Sequence, residues 1–182
     1  TPMTIQQLMT HTSSIKDNWS AMGDYYGYPD PTMSLEDCMQ DYFTLAGGNY
    51  DANQNFISEA PGTVRNYSNM ATALNGYITE IVSETPFDDY CDASIFEPLC
   101  MEKTAWHMAD LDSNEVARPY SYSNGNFVAN PHYGFADYPD GQLRSSSLDL
   151  ANFMIAFLNG GTLGDNTILN PSSVNEMWTE QI

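Results

Sequence analysis

Residues 61–81 read Pro-Gly-Thr-Val-Arg-Asn-Tyr-Ser-Asn-Met-Ala-Thr-Ala-Leu-Asn-Gly-Tyr-Ile-Thr-Glu-Ile. Pro61-Gly62 is a turn signal, because proline presets its backbone angle and glycine tolerates the left-handed one. Beyond Asn69, the residues Ala73, Leu74, Tyr77, Ile78 and Ile81 recur at spacings of one, three and four, which predicts the strongest helix of the chain. Asn69 stands where that helix begins and is a residue type suited to capping, since its side-chain oxygen can accept from a free backbone N–H.

On the N-terminal side, Thr4-Ile-Gln-Gln7 has the form of a capping box, and Ile5, Leu8 and Met9 share one face, so a short helix is expected to about His11. Residues 12–33 are polar, aromatic and rich in Gly and Pro, and read as a long surface loop. Ser34-Leu-Glu-Asp37 opens a helix carrying Leu35, Met39, Tyr42 and Phe43 at helical spacing and closing at Gly47-Gly48. On the C-terminal side, Thr85-Pro86 places a cap before a proline at the first helical position, and a helix runs through Phe87, Tyr90, Cys91, Ile95 and Phe96 to Pro98. Residues 101–146 are irregular, with short strands expected around 105–108 and 125–128. Ser146 or Ser147 caps a helix through Leu150, Phe153, Met154, Ala156 and Phe157 that ends at Asn159-Gly160-Gly161, and Asn170-Pro171 starts a last one. The sum is a mainly α fold, an α+β fragment of five or six helices with long irregular loops and few short strands, in a single domain over residues 1–182.

Composition narrows the function. The 182 residues are 42% hydrophobic, enough for a sizeable core, and 24 acidic side chains against 5 Lys and Arg give a formal charge of −19. Lys16, Arg65, Lys103, Arg118 and Arg144 are too few and too scattered to neutralise phosphates, so a nucleic-acid partner is not expected, nor an anionic membrane surface. The charge suits a surface kept soluble at high salt. No run approaches the roughly 20 apolar residues of a membrane helix. The chain opens Thr-Pro and has no basic-then-apolar leader, which reads as a mature or excised segment. Cys38, Cys91 and Cys100 lack CxxC spacing; Cys91 and Cys100 flank a short helical stretch and are either a disulfide of an exported protein or, with Cys38, buried free thiols. His11, His107 and His132 lie in separate segments without zinc-ligand spacing, and Gly160-Gly161 followed by Gly164 comes after a helix rather than opening one. No metal or cofactor is expected.

Four segments carry more information together than singly: Leu8-Met-Thr-His-Thr-Ser13, Pro61-Gly-Thr-Val-Arg-Asn-Tyr-Ser-Asn69, Ile95-Phe-Glu-Pro-Leu-Cys-Met-Glu-Lys-Thr104 and Gly141-Gln-Leu-Arg-Ser-Ser-Ser-Leu-Asp149. In this order they resemble the serine β-lactamase and penicillin-binding-protein-like family, in its branch of class C β-lactamases, D-alanyl-D-alanine peptidases and esterases. That family shows Leu-Leu-x-His-Thr-Ser-Gly, a Pro-Gly turn leading to Tyr-Ser-Asn, Pro-Leu-Gly-Met before Thr, and Gly-Gly-Leu before an Asp-Leu-Ala helix. The resemblance spans nearly the whole chain. It implies the helical insert domain of the β-lactamase/transpeptidase-like fold, lying between two parts of an α/β domain.

The same resemblance implies an acyl-serine mechanism on an amide or ester: a β-lactam, a D-alanyl peptide or a small ester. The family's nucleophile, in Ser-x-x-Lys, lies tens of residues upstream of His-Thr-Ser, and its Lys-Thr-Gly or His-x-Gly lies well downstream of Tyr-x-Asn. Neither has a plausible copy here. Ser13-Ser-Ile-Lys16 fits the first as a string, but that chemistry needs the pair one turn apart on a buried helix, and the polar Asp17-Asn-Trp-Ser20 that follows reads as loop. The fragment alone is therefore expected to be inactive.

Tyr67 and Asn69 are the catalytic residues that the Tyr-x-Asn match implies. A phenol with an ordinary pKa of about 10 needs cationic neighbours to act as a base. Given these, Tyr67 would move protons between serine, leaving group and water, while Asn69 would donate to the substrate's acyl carbonyl. His11-Thr-Ser13 is expected to be structural, Gly141 to permit positive φ, and Asp149 to complement a helix dipole; Cys100 replaces a family glycine and would strain a left-handed backbone. Asn18-Trp-Ser20 and Asn66-Tyr-Ser68 are formal glycosylation sequons. The family points to a periplasmic or secreted location. A rival reading is a non-catalytic helical binding module whose aromatic loops, 19–28 and 120–138, recognise peptidoglycan or a protein partner.

Overall fold

A computed structural model describes residues 2–181. Among them run seven α-helices, α1 (Ile5–Met9), α2 (Trp19–Met22), α3 (Leu35–Phe43), α4 (Asn69–Ser83), α5 (Phe87–Cys91), α6 (Ser147–Leu158) and α7 (Pro171–Trp178). Six short strands accompany them: β1 (Tyr26–Gly27), β2 (Tyr120–Ser123), β3 (Asn126–Ala129), β4 (Gly134–Phe135), β5 (Thr162–Leu163) and β6 (Asn166–Thr167). They form three separate antiparallel pairs, β1 with β4, β2 with β3 and β5 with β6. The sequence reads as one domain, whereas the contacts gather into two compact units: the chain up to Thr79 with His107–Gln142, and Glu80–Trp106 with the chain from Leu143 on.

In the first unit the capping box at α1 forms in full, the Gln7 N–H donating to the Thr4 hydroxyl at 3.2 Å and the Thr4 N–H to Gln7 Oε1 at 3.0 Å. Only Leu8 of its expected apolar face is buried; Ile5 and Met9 face solvent. Residues 12–33 are not all loop, because Asn18 caps α2. Ser34 caps α3 as expected, and Leu35, Cys38, Met39 and Tyr42 are buried, joined in the core by Ile15, Tyr25, Met70 and Ala73. The expected strand near 125–128 is β3, paired with β2 through Asn124-Gly125, both at positive φ as a tight hairpin requires.

In the second unit Cys91, Phe96, Leu99, Met101 and Ala156 form a core flanked by Phe87, Trp106 and Phe153. Thr85 does not cap α5: its hydroxyl donates to the Ser83 carbonyl, and the Glu80 carboxylate accepts the Phe87 N–H at 3.1 Å instead. Of the strand expected at 105–108 only a bridge exists, in which Ala105 and Arg144 exchange hydrogen bonds of 3.0 and 2.9 Å. Ser146 caps α6, and Asn170 caps α7.

Three cysteines are free. Cys91 is buried, which pushes its thiol up to about 11, while Cys100 is exposed, so the two form no disulfide and not all three thiols are buried. Three residues that stand where the resembled family carries glycine keep the left-handed backbone without it: Ser14 at φ 70, Cys100 at φ 54 and Gln142 at φ 42. Each costs about 1–2 kcal/mol for the crowding of its Cβ. The Ser14 hydroxyl donates to the Glu59 carbonyl at 2.6 Å, and Gln142 Oε1 accepts from the Phe135 N–H at 2.6 Å, contacts that offset the strain at those two. Gly141 itself lies at φ −164, extended backbone open to any residue, so the left-handed turn expected there falls one residue later.

Candidate active site

The geometry around Tyr67 starts from the N-terminus of α4. A helix leaves its first N–H groups without intrahelical partners, and two segments distant in sequence supply them here. Ser68, not Asn69, is the cap: its hydroxyl accepts from the Ala71 N–H at 3.0 Å. The Asp17 carboxylate, 52 residues upstream of Asn69, accepts the Asn69 N–H at 3.0 Å. It also accepts the Met70 N–H at 3.2 Å and the Ser68 hydroxyl at 2.9 Å. A negative charge placed against that helix end gains from the macrodipole as well as from the bonds.

Because Ser68 caps the helix, the Asn69 side chain is available for another task. Its Nδ2 donates to Asp17 at 2.8 Å and its Oδ1 accepts the Tyr67 hydroxyl at 3.0 Å. Tyr67 is 58% exposed, so the ring is not sunk in the core. One side of it rests on His11, ring centroids 4.4 Å apart. His11 Nδ1 accepts the Ser68 N–H at 3.3 Å, and its carbonyl accepts the Asn66 N–H at 2.8 Å. Burial, helped by the Arg65 charge, holds the His11 pKa below its ordinary value against the opposing pull of Asp17 and the Ser68 bond, which keeps Nδ1 an acceptor. His11 thus holds the Asn66–Ser68 loop through two hydrogen bonds and packs against the phenol.

Asp17 is held in turn. The Tyr42 hydroxyl donates to the Lys16 carbonyl at 2.6 Å and accepts the Asn18 N–H at 2.8 Å, fixing the peptide groups on either side of Asp17. Fully buried Asn55 donates to the carbonyls of Tyr42 and Asn49, each at 2.9 Å, and accepts from Asn18 Nδ2 at 3.0 Å. The amides of both formal sequons are therefore engaged, since Asn66 Nδ2 donates to the Ile15 carbonyl at 3.0 Å.

Ser13 and Lys16 do not form a nucleophile pair. Ile15 sits in an antiparallel bridge with Phe56, so the segment is extended rather than helical, and Ser13 is 1% exposed with its hydroxyl accepting the Ile15 N–H. Lys16 instead lines an open cavity of about 480 Å³ with Phe56 and Asn66.

A second cavity, of about 200 Å³, is lined by Trp19, Tyr26, Asn69, Phe135, Asp137 and Asp140. The two carboxyls escape a sequence reading, because Tyr-Pro-Asp-Gly looks like an ordinary turn. Burial, together with the Asp137 charge, pushes Asp140 up to about 9, and burial raises Asp137 as well. Burial thus favours the protonated form of both carboxyls. Among the described residues no group of three or more His, Cys, Asp or Glu side chains is arranged to hold a metal ion. No helix there is long and apolar enough to cross a membrane.

The architecture is that of the penicillin-binding-protein-like class. A penicillin binding protein from Bacillus halodurans superposes with a TM-score of 0.72 at 22% identity, covering 97% of this chain and 51% of that one. The D-amino acid amidase from Ochrobactrum anthropi SV3 superposes at 0.64 and 19% identity, covering 94% of this chain and 45% of the amidase. The Beta-lactamase family model matches residues 1–181, and the chain belongs to that family of serine hydrolases. Beta-lactamase-like protein 1 of Dictyostelium discoideum is 34% identical over 83 residues, 44% of this chain and 13% of that relative. The chain thus matches a small part of its curated relative and spans about half of the solved structures.

Proposed function

We propose that this chain is the helical insert domain of a serine hydrolase which cleaves an amide or ester bond, in a β-lactam, a D-alanyl peptide or a small ester, through an acyl-serine intermediate. One observation carries the reading: the hydroxyl of exposed Tyr67 is aligned on Asn69 beside the Asp17 carboxylate, with its ring resting on His11. Family membership and the four ordered motifs support it. The serine and lysine of Ser-x-x-Lys are assigned to polypeptide outside the chain.

In the completed site the serine oxygen attacks the carbonyl carbon, its proton passing to Tyr67 once that phenol has given its own proton to the lysine side. Collapse of the tetrahedral adduct breaks the C–N or C–O bond, and Tyr67 returns the proton to the departing nitrogen or oxygen. Water then repeats the sequence on the acyl-serine. Asn69 Nδ2, which spends one hydrogen on Asp17, donates the other to the acyl side-chain carbonyl.

The purified chain, assayed with a chromogenic cephalosporin and a p-nitrophenyl ester, is expected to show no turnover. The longer protein containing Ser-x-x-Lys is expected to hydrolyse at least one of them, with Ser13→Ala unaltered in rate. Turnover by the chain alone that Ser13→Ala abolishes would contradict the proposal.

A further inference from the structure

We infer that the cavity between Trp19, Phe135 and Asn69 is a subsite for a primary ammonium group on the acyl part of the substrate, received by the carboxyl pair Asp137 and Asp140. Three observations converge on it. Asp137 is among the lining residues and is 2% exposed, and its buried Oδ1 has no hydrogen-bond partner among the described residues. A buried carboxylate oxygen left without a donor is costly, and an entering N–H⁺ relieves that cost. Three further lining residues, Trp19, Tyr26 and Phe135, are aromatic, a residue type whose ring quadrupole attracts a cation, and no Lys, Arg or His is among the lining residues.

The volume, about 200 Å³, admits an alkyl- or arylmethylammonium and is below that of a drug-sized site. Asn69 shares the cavity, so a group bound there adjoins the residue proposed to hold the acyl carbonyl. The link to an acyl side chain rests on the hydrolase reading; the affinity for ammonium does not.

The test is titration of the ¹⁵N-labelled chain with benzylammonium chloride and, separately, benzyl alcohol, a neutral molecule of the same shape. Saturable shifts of the Trp19 indole N–H and the Asn69 side-chain amide are expected with benzylammonium. Affinity should be at least tenfold weaker for the alcohol, and at least tenfold weaker for benzylammonium in Asp137→Asn. The variant Asp165→Asn, which removes an exposed carboxylate elsewhere, is expected to bind normally. Equal affinity for alcohol and ammonium in the unaltered chain would overturn the inference without any variant having to fold, as would equal weakening by Asp165→Asn. An active longer enzyme indifferent to an ammonium on its substrate would remove the subsite alone. Ammonium binding by the chain without hydrolysis by the longer protein would remove the hydrolase reading and leave the subsite.

Discussion

Helices α4 and α6 both meet a carboxylate at their N-termini, but the carboxylates come from different places and do different work. At α6 the carboxylate belongs to the helix: Asp149 accepts the Ser146 hydroxyl at 2.8 Å while its own N–H returns to Ser146 at 3.1 Å. It also draws in the Lys103 N–H at 2.7 Å and the Thr104 hydroxyl at 2.8 Å, and it is 6% exposed, so the arrangement is closed on itself. At α4 the carboxylate is Asp17, delivered from a remote segment, and its bonds leave an exposed phenol positioned beside them. The same electrostatics closes the start of α6 on itself and leaves an exposed phenol beside the start of α4.

Removing each carboxylate tests that difference. Asp17→Ala leaves Ser68, Asn69 and Met70 donors unpaired at a helix end and is expected to lower unfolding free energy by about 3 kcal/mol in urea. It should also release Tyr67, seen as a loss of the ring contact with His11 by NMR. Asp149→Ala is expected to cost about 2 kcal/mol by the same measurement, with the Tyr67 resonances unmoved. A loss at Asp149 that also disturbs Tyr67 would break the contrast.

Titration sharpens it. Burial opposes ionisation of Asp149, but the bonds from Ser146, Thr104 and the Lys103 amide outweigh it and hold its pKa below the ordinary carboxylate value. Its contribution is therefore complete above about pH 4 and lost as pH falls through the folded-state value. Asp140 has the opposite sign. With a folded pKa near 9, the native state holds a proton that the unfolded chain releases near pH 4, so stability declines between those limits as pH rises. Asp140→Asn is expected to flatten the fall in Tm between pH 5 and 9, and Asp149→Asn to weaken the loss below pH 4. The smallest expected effect is at Cys100→Gly, which relieves a left-handed backbone at φ 54 and exchanges an exposed thiol for hydrogen, raising stability by about 1 kcal/mol.

What could be read from sequence follows from locality. The caps at Thr4, Ser34 and Asn170 are signals within four residues and form where expected, and of the two serines open at α6 it is Ser146 that caps. At α5 the helix starts at Phe87 with Pro86 in the cap position, so Thr85 stands one residue too early, and a carboxylate seven residues away takes the Phe87 N–H. Alternating Tyr-Ser-Tyr-Ser before Asn124-Gly125 is a hairpin signal, but β2 has no apolar face to mark it, and all four of its residues are exposed. Tyr67 and Asn69 stand out in the sequence only through motif order, since an isolated tyrosine carries no mark of use. The Asp17 clamp had no local trace: its partners lie 51–53 residues away, and the polar segment around it looks like solvated loop.

The central claim is that Tyr67 moves the proton in acyl transfer. In the longer protein carrying Ser-x-x-Lys, kcat/KM for acylation should be compared between the unaltered enzyme and Tyr67→Phe, which keeps the ring on His11 and removes only the hydroxyl. A fall of about 10²-fold or more, carried by kcat, is predicted; a rate within threefold of the unaltered enzyme would contradict it.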